Sequence, residues 1–407
     1  MSRCFLLLQG PCTPFFTQLS KRLRQEGHTV YRINLCAGDA LYANDGSAWN
    51  FRGKESSFAT FLLQRYKAFG ITDQILFGDC RPLHKIATTS AKTSGVRSHV
   101  FEEGYFRPYW ITLEREGVNA HSLLPKDPQW YKETSLKLPQ PNPVEHFRSS
   151  FRTRTIHDIA YHVAGMANPL LYPHFRTHAP FIAPIEYLGY IKRFTKLRMI
   201  KKYEQERVQT LITKQTPYFV LPLQLNSDAQ IREHSDFKNM REVIDYVALS
   251  FANHAPSHCH LVLKNHPLDM GLMPYTSMIQ EIANHYDLTG RIHFFEDGDL
   301  TTLFKNALGV VTVNSTSGMV SLEHNIPTIT LSDPIYNVES LTFQASLDDF
   351  WCNHVPPNTE FFKQFKRVVI HTTQINGGFY CPAGIALAVE NAIHSLVADQ
   401  SPLEMLL

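Results

Sequence analysis

No run of about 18 or more apolar residues occurs in this chain of 407, and the short apolar stretch near its start, Phe5 to Leu8, falls well below the core of a signal peptide. Neither a membrane span nor a cleaved leader is expected. Cysteine is sparse and unpatterned: Cys4, Cys12, Cys36, Cys80, Cys259, Cys352 and Cys381 are odd in number, scattered, and free of any CxxC pair. That speaks against a disulfide framework and against a zinc site, and fits a reducing cytoplasm. Charge of one sign is lacking too. Lysine and arginine total 39, aspartate and glutamate 37, and a net charge of +2 gives no reason to expect a nucleic-acid partner. Internal repeats and low-complexity tracts are absent. The first strand-to-helix turn, Gln9-Gly10-Pro11, has one glycine where a dinucleotide fingerprint would space three.

What remains is a chain that is 43% hydrophobic, long enough for two domains with full cores. Its organising stretch runs from Leu261 to Ser332, where buried strands alternate with helices. Cys259 to Leu263 is a strand that delivers Lys264 and His266 at its carboxyl end, the edge at which open α/β sheets bind ligands. A Lys and a His two positions apart point the same way and can share one phosphate. Leu308 to Val313 is a second buried strand, followed by Asn314-Ser315-Thr316-Ser317-Gly318 and a helix to His324. Hydroxyls and free backbone N–H groups at such a turn suit a phosphate. The plainer reading is that Ser and Thr are ordinary N-caps. Glu323, further down the same helix, favours a nucleotide, because a carboxylate there can grip two ribose hydroxyls.

The amino-terminal half carries a second set. Cys4 to Leu8 is a strand ending at Gln9 and Gly10, a candidate backbone contact to an acceptor. Gln74 to Phe77 is another, ending near Asp79, Arg81 and His84; Asp79 and Arg81 are ligand contacts or a structural pair. Arg97 to Phe101 delivers Glu102-Glu103-Gly104-Tyr105 and then Arg107-Pro108. Adjacent carboxylates in an aromatic setting invite a raised pKa in one of them, as a general acid or base needs. Side chains alternate at a strand end, so one of the two should face the site. Ile191 to Arg207 is basic and amphipathic, with Lys192, Arg193, Lys196, Arg198, Lys201 and Lys202, and is either a membrane-facing helix or a solvated one. Past Lys214 to Thr216, the strand Pro217 to Leu223 ends at Gln224, with Asp228 beyond it as a catalytic candidate or an Asx turn.

The Lys264-Asn265-His266-Pro267 and Asn314 to Gly318 pair, with Glu323, resembles the CMP-sugar site of bacterial GT-B transferases. With Glu102-Glu103-Gly104-Tyr105, Arg107-Pro108 and Trp110 to Glu114, the chain from Phe5 to Glu390 resembles the capsule polysaccharide biosynthesis family of the KpsS/LipB type. The resemblance implies a GT-B α/β fold of two doubly wound Rossmann-like domains facing across a cleft. They are expected at residues 1–213 for the acceptor and 214–382 for the nucleotide sugar, with a helix after residue 383 packing back on the first. It implies a retaining β-Kdo transferase that uses CMP-Kdo as donor substrate, with no cofactor; no metal is expected, because the phosphate would have cationic and backbone partners. Asp228 would be the nucleophile, Glu103 the base that deprotonates the acceptor hydroxyl, with Glu102 its nearest rival and a substrate contact, and His266 would join Lys264 in giving the leaving CMP what acid help it needs. Lys264, His266, Asn314, Ser315, Thr316, Ser317 and Glu323 would hold the CMP moiety. Gln9, Gly10, Asp79, Arg81, Tyr105, Arg107 and Gln224 would line the substrates. Implied partners are an anionic lipid acceptor, the inner face of the inner membrane, and other capsule biosynthesis and export proteins. An inverting transferase and a non-catalytic membrane scaffold remain as alternatives.

Overall fold

The computed structural model describes residues 2–43, 48–148, 150–176, 183–225, 231 and 235–407. They form two compact units, Met1–Pro125 with Thr134–His178 and Lys366–Leu407, and Lys126–Glu133 with Ala179–Phe365.

The first unit is built on seven strands: β1 (Cys4–Leu7), β2 (Thr29–Asn34), β3 (Ala48–Asn50), β4 (Asp73–Phe77), β5 (Arg97–Glu103), β6 (Trp110–Arg115) and β12 (Gln374–Asn376). Their order is β12-β6-β5-β4-β1-β2-β3. The five strands β1 to β5 pair in parallel, while β6 runs antiparallel to β5 and β12 antiparallel to β6. The antiparallel edge arises because Gly104 to Tyr109 turns the chain straight back, too short for a crossover helix. Helices α1 (Phe15–Gln25), α2 (Ala37–Leu41), α3 (Phe58–Phe69) and α4 (Pro82–Ser94) connect the parallel strands. α5 (Pro128–Lys137), α6 (Phe151–Gly165) and α7 (Asn168–Leu171) follow. Apolar residues of β1, β4 and β5 alternate between two cores. Phe5, Leu7, Ile75 and Phe101 face one, and Leu6, Leu8, Leu76 and Val100 the other.

The second unit has a five-stranded parallel sheet of β7 (Tyr218–Pro222), β8 (His260–Lys264), β9 (Ile292–Phe295), β10 (Gly309–Thr312) and β11 (Thr328–Thr330), in the order β11-β10-β7-β8-β9. Its helices are α8 (Ala183–Thr213), α9 (Met240–His254), α10 (Tyr275–His285), α11 (Leu300–Lys305), α12 (Ser317–Glu323) and α13 (Leu347–Asn353). α14 (Thr359–Thr373) and α15 (Pro382–Val397) lead to the carboxyl terminus. The two-unit α/β architecture with parallel sheets is as expected.

The boundary between the units lies elsewhere than residue 213. α8 belongs to the second unit because its inward stripe, including Val208 and Leu211, packs with Tyr218, Val220, Val262 and Phe295 on one face of that sheet. Arg193, read as part of a basic outer surface, instead turns inward. It is 2% exposed, bonds the Pro267 and Asp269 carbonyls, and lies 3.7 Å from Glu296. α15 packs on α1 through Ile385, Ala388, Val389 and Ile393.

Candidate functional site

In each unit the first strand of the sheet ends on a glutamine, and that glutamine bridges the point where the strand order reverses. In the second unit the reversal lies between β7 and β10. Gln224 leaves β7 there, and its amide nitrogen donates to Asn314 Oδ1 at 3.0 Å. In the first unit the reversal lies between β1 and β4, where Arg81 Nη1 donates to Gln9 Oε1 at 2.9 Å. Crevices outside the carboxyl ends at such reversals are where open α/β sheets bind ligands.

The second-unit crevice gathers most of the residues read as CMP-binding. Lys264, at the end of β8, is 5% exposed, and its Nζ donates to the Asn265 carbonyl at 2.9 Å. Burial pulls its pKa down to about 8, against a smaller upward pull from Asp297. His266 Nδ1 accepts from the Leu268 N–H at 3.1 Å, which puts the ring proton on Nε2 when the ring is neutral. Asn265 is held by Glu296 at 3.2 Å and receives the His266 N–H at 2.8 Å, so the Lys-Asn-His turn is rigid at three points. On the β10 side, Ser317 N–H donates to Ser315 Oγ at 3.1 Å. Ser317 Oγ is buried and has no hydrogen-bond partner among the described residues. An orphan hydroxyl of that kind calls for a ligand or a water. A Cβ on Gly318 would come within 2.3 Å of the Tyr336 hydroxyl, so glycine lets the turn close against that ring. Glu323 ends α12 and is exposed. An Asp-X-Asp triplet, Asp297-Gly298-Asp299, follows β9; Asp299 is the α11 N-cap, accepting from the Thr302 N–H at 2.7 Å. Asp228 lies outside the described residues.

The first-unit crevice divides the residues read as substrate-binding. β5 extends through Glu103, so both carboxylates sit within the strand and project to opposite faces. Glu102 Oε1 accepts from the Glu103 N–H at 3.0 Å, and its carboxylate lies against Gly78. Burial, with the Glu103 charge adding to it, pushes Glu102 up to about 7, while Arg81 and Arg107 pull the other way. Glu103 Oε1 accepts from the Tyr380 hydroxyl at 2.8 Å, and Oε2 has no hydrogen-bond partner among the described residues. Arg154 stacks over the Tyr380 ring at 4.0 Å.

Gln9 is fixed on its other side by Asp39 and the Tyr161 hydroxyl. Arg81 and Gln9 line a cavity of about 350 Å³ together with Lys54, His84, His174 and Arg176. Gly10 packs beneath, against Phe16. Asp79 is not in that cavity. It is buried and accepts from His121 Nδ1 at 2.9 Å, a bond that raises the His121 pKa. Asp79, Cys80 and His121 offer ligand atoms within 4.8 Å of one another, a small set able to hold a divalent cation. Tyr105 is likewise core, with its hydroxyl donating to Glu114 at 2.7 Å, whereas Arg107 is exposed. Sequence reasoning missed Tyr380, Tyr161, Asp39, Lys54 and Arg176. Tyr380 lies 277 residues from the carboxylate that it touches. No local pattern announces that contact.

Residues 72–380 match the family model for capsule polysaccharide biosynthesis proteins. The chain belongs to that family. It is 34% identical over 377 residues to the capsule polysaccharide export protein KpsS of Escherichia coli, spanning 92% of this chain and 96% of that protein. It is 36% identical over 389 residues to the capsule polysaccharide modification protein LipB of Neisseria meningitidis serogroup B, with 92% and 91% covered. Among solved structures, the beta Kdo 2,7 transferase KpsC of Thermosulfurimonas dismutans aligns with a TM-score of 0.41 at 14% identity, over 89% of this chain and 99% of that one. A putative UDP-N-acetylglucosamine 2-epimerase of Listeria monocytogenes aligns at 0.33 and 13%, over 99% and 98%. Structural likeness at that level does not bear on activity, and family membership rests on sequence. In this chain Gly104 is explained by packing: a Cβ there would lie 2.0 Å from the Trp110 carbonyl oxygen.

Proposed function

We propose that the protein is a glycosyltransferase of capsule synthesis that moves β-Kdo from CMP-Kdo onto a hydroxyl of an anionic, phosphatidylglycerol-type lipid. The observation that carries the reading is the second-unit crevice, where a buried lysine at the end of β8 and an unpartnered buried serine hydroxyl beyond β10 flank the central strand β7. Both are complementary to the phosphate of a nucleotide. Family membership supports the capsule context.

In this reading Lys264, His266 and the Ser315 to Ser317 turn take the CMP phosphate, Glu323 the ribose, and Gln224 and Asn314 the floor between them. The Asp228 carboxylate attacks the anomeric carbon, the carbon–phosphate-oxygen bond breaks, and CMP leaves with its electron pair stabilised by Lys264. The acceptor oxygen then displaces Asp228 while Glu103 takes its proton, and two inversions give net retention. Glu103 is assigned that role because Glu102 turns in against Gly78. No cofactor is invoked, and the enzyme would work at the inner face of the inner membrane with other capsule proteins.

The test is a lipid mass-spectrometry assay with CMP-Kdo, phosphatidylglycerol and the purified protein. Wild type should add one Kdo mass to the lipid. Lys264→Met should lower kcat/KM by roughly 100-fold or more, in line with loss of a charged hydrogen-bond donor that strengthens toward the transition state. Absence of transfer by wild type, or full activity in Lys264→Met, contradicts the proposal.

A further inference from the structure

The outward face of α6 and α7 is apolar where a helix over water should be polar. Ile156, Ile159, Val163, Met166 and Leu170 recur at spacings of three and four, which puts them on one stripe of a continuous helical course. Their exposures are 65%, 44%, 59%, 79% and 88%. The opposite side of the same helices holds them to the first unit. Tyr161 bonds Gln9 and Asp39, His157 bonds Tyr42, and Asn168 accepts from the Ala37 N–H at 2.8 Å. The helices are therefore anchored, and the stripe is a deliberate outer surface. Contiguous exposed apolar surface of this extent marks an interaction site.

We infer that this stripe docks on an anionic phospholipid bilayer. Charge decides between a bilayer and a protein partner of unspecified kind. Residues 148–176 contain Arg148, Arg152, Arg154 and Arg176 against one carboxylate, Asp158. Arg154 is held over the Tyr380 ring and does not count toward the stripe, but Arg152 sits at its head and is exposed, as are Arg148 and Arg176. Past α7 the chain runs directly into His174 and Arg176, which line the cavity that also holds Lys54 and Arg81. A stripe of large aliphatic side chains with arginines at both ends is the pattern of a helix lying in a bilayer interface. Such a helix sinks its apolar face among the acyl chains and sets its cations on lipid phosphates. α8, the basic helix picked out from sequence, is a weaker candidate. Arg193 is buried, Lys196 pairs with Glu296 at 2.8 Å and Arg207 with Glu204 at 2.6 Å, so three of its seven cations are engaged internally.

The inference does not require sugar transfer, and its test omits the donor. The full-length protein is sedimented with vesicles of phosphatidylcholine alone and of phosphatidylcholine mixed with phosphatidylglycerol. The variants are Val163→Glu/Leu170→Glu on the stripe and Met199→Glu/Tyr203→Glu on α8, with thermal melts to confirm that each is folded. Wild type should bind the mixed vesicles and release them as salt rises. Val163→Glu/Leu170→Glu should bind about tenfold or more weakly, the loss expected when two apolar anchors become carboxylates at an anionic surface, and Met199→Glu/Tyr203→Glu should bind like wild type. Equal binding by the stripe variant overturns the inference. So does loss confined to the α8 variant, or a wild-type dimer that the stripe variant dissociates, which would mean that a second copy covers the stripe.

Discussion

Lys264 is the residue on which the proposed donor site turns, and its chemistry follows from where β8 delivers it. An ammonium held at 5% exposure gives up solvation, so its folded pKa falls from 10.5 to about 8. The unfolded chain therefore binds more protons than the native one between about pH 8 and 10.5. Over that window the contribution of Lys264 to stability improves as pH rises, and the cost of its buried charge is greatest below it. An arriving phosphate reverses the balance by favouring the charged form. Below pH 8 the ammonium is already in place, whereas above pH 8 binding must take up a proton. CMP affinity measured by calorimetry should accordingly fall as pH rises through about 8, approaching tenfold per pH unit. In Lys264→Met it should be weaker by about 1.5–3 kcal/mol and nearly flat over the same range. A wild-type profile as flat as that of the variant would remove Lys264 from the phosphate contact. Lys264 and His266 were legible in the sequence because a strand end and a proline-closed turn announce themselves locally. The raised pKa of one carboxylate in the Glu102-Glu103 pair was legible as well. Which of the two rises was not, because it depends on Gly78 and Arg81 from another strand.

At the scale of elements, the strands that carry the sites were read closely, and their edges were not. β9 and the ends of β7 and β8 follow from short β-branched or aromatic runs bounded by turn residues. β12 has three residues, and pairing with β6 alone makes it a strand. The β5–β6 return shows how a motif can be packing and chemistry at once. Glu102 and Glu103 end β5, and Gly104 lets the chain pass the Trp110 carbonyl, where a Cβ would stand 2.0 Å from that oxygen. The obstacle is backbone and has no rotamer to adopt. Gly104→Ala should destabilise the protein by more than about 2 kcal/mol in urea unfolding, with activity lost alongside. A variant as stable as wild type would show that the return is looser than its geometry says. α8 is exposed at Lys192, Lys196, Arg198, Lys201 and Lys202, as a solvated or membrane-facing helix requires, and departs from that reading at Arg193. Six cations over a dozen residues look like an outer surface, yet three-dimensional neighbours draw Arg193 and Lys196 onto Asp269 and Glu296. The stripe on α6 and α7 escaped notice because the chain around it is rich in prolines and histidines, which blur helical periodicity.

For the whole molecule, two sheets place equivalent glutamines, Gln9 and Gln224, at equivalent reversals of strand order. Each unit thereby gains a crevice with different chemistry. One is cationic and adjoins two carboxylates, and the other is built around a lysine, a histidine and serine hydroxyls. Composition told that two domains would form, and the strand runs told that both would be α/β. The boundary could not be read, because α8 is assigned by the face onto which its stripe packs and the terminal residues 366–407 return to the first unit.

The measurement that tests the central claim most directly is intact-protein mass spectrometry after incubation with CMP-Kdo generated in place, without acceptor. The account predicts one added Kdo mass on wild type, the same adduct persisting in Glu103→Gln, and none in Asp228→Ala. An adduct of equal yield in Asp228→Ala, or lipid transfer by wild type with no adduct trapped in Glu103→Gln, would contradict it.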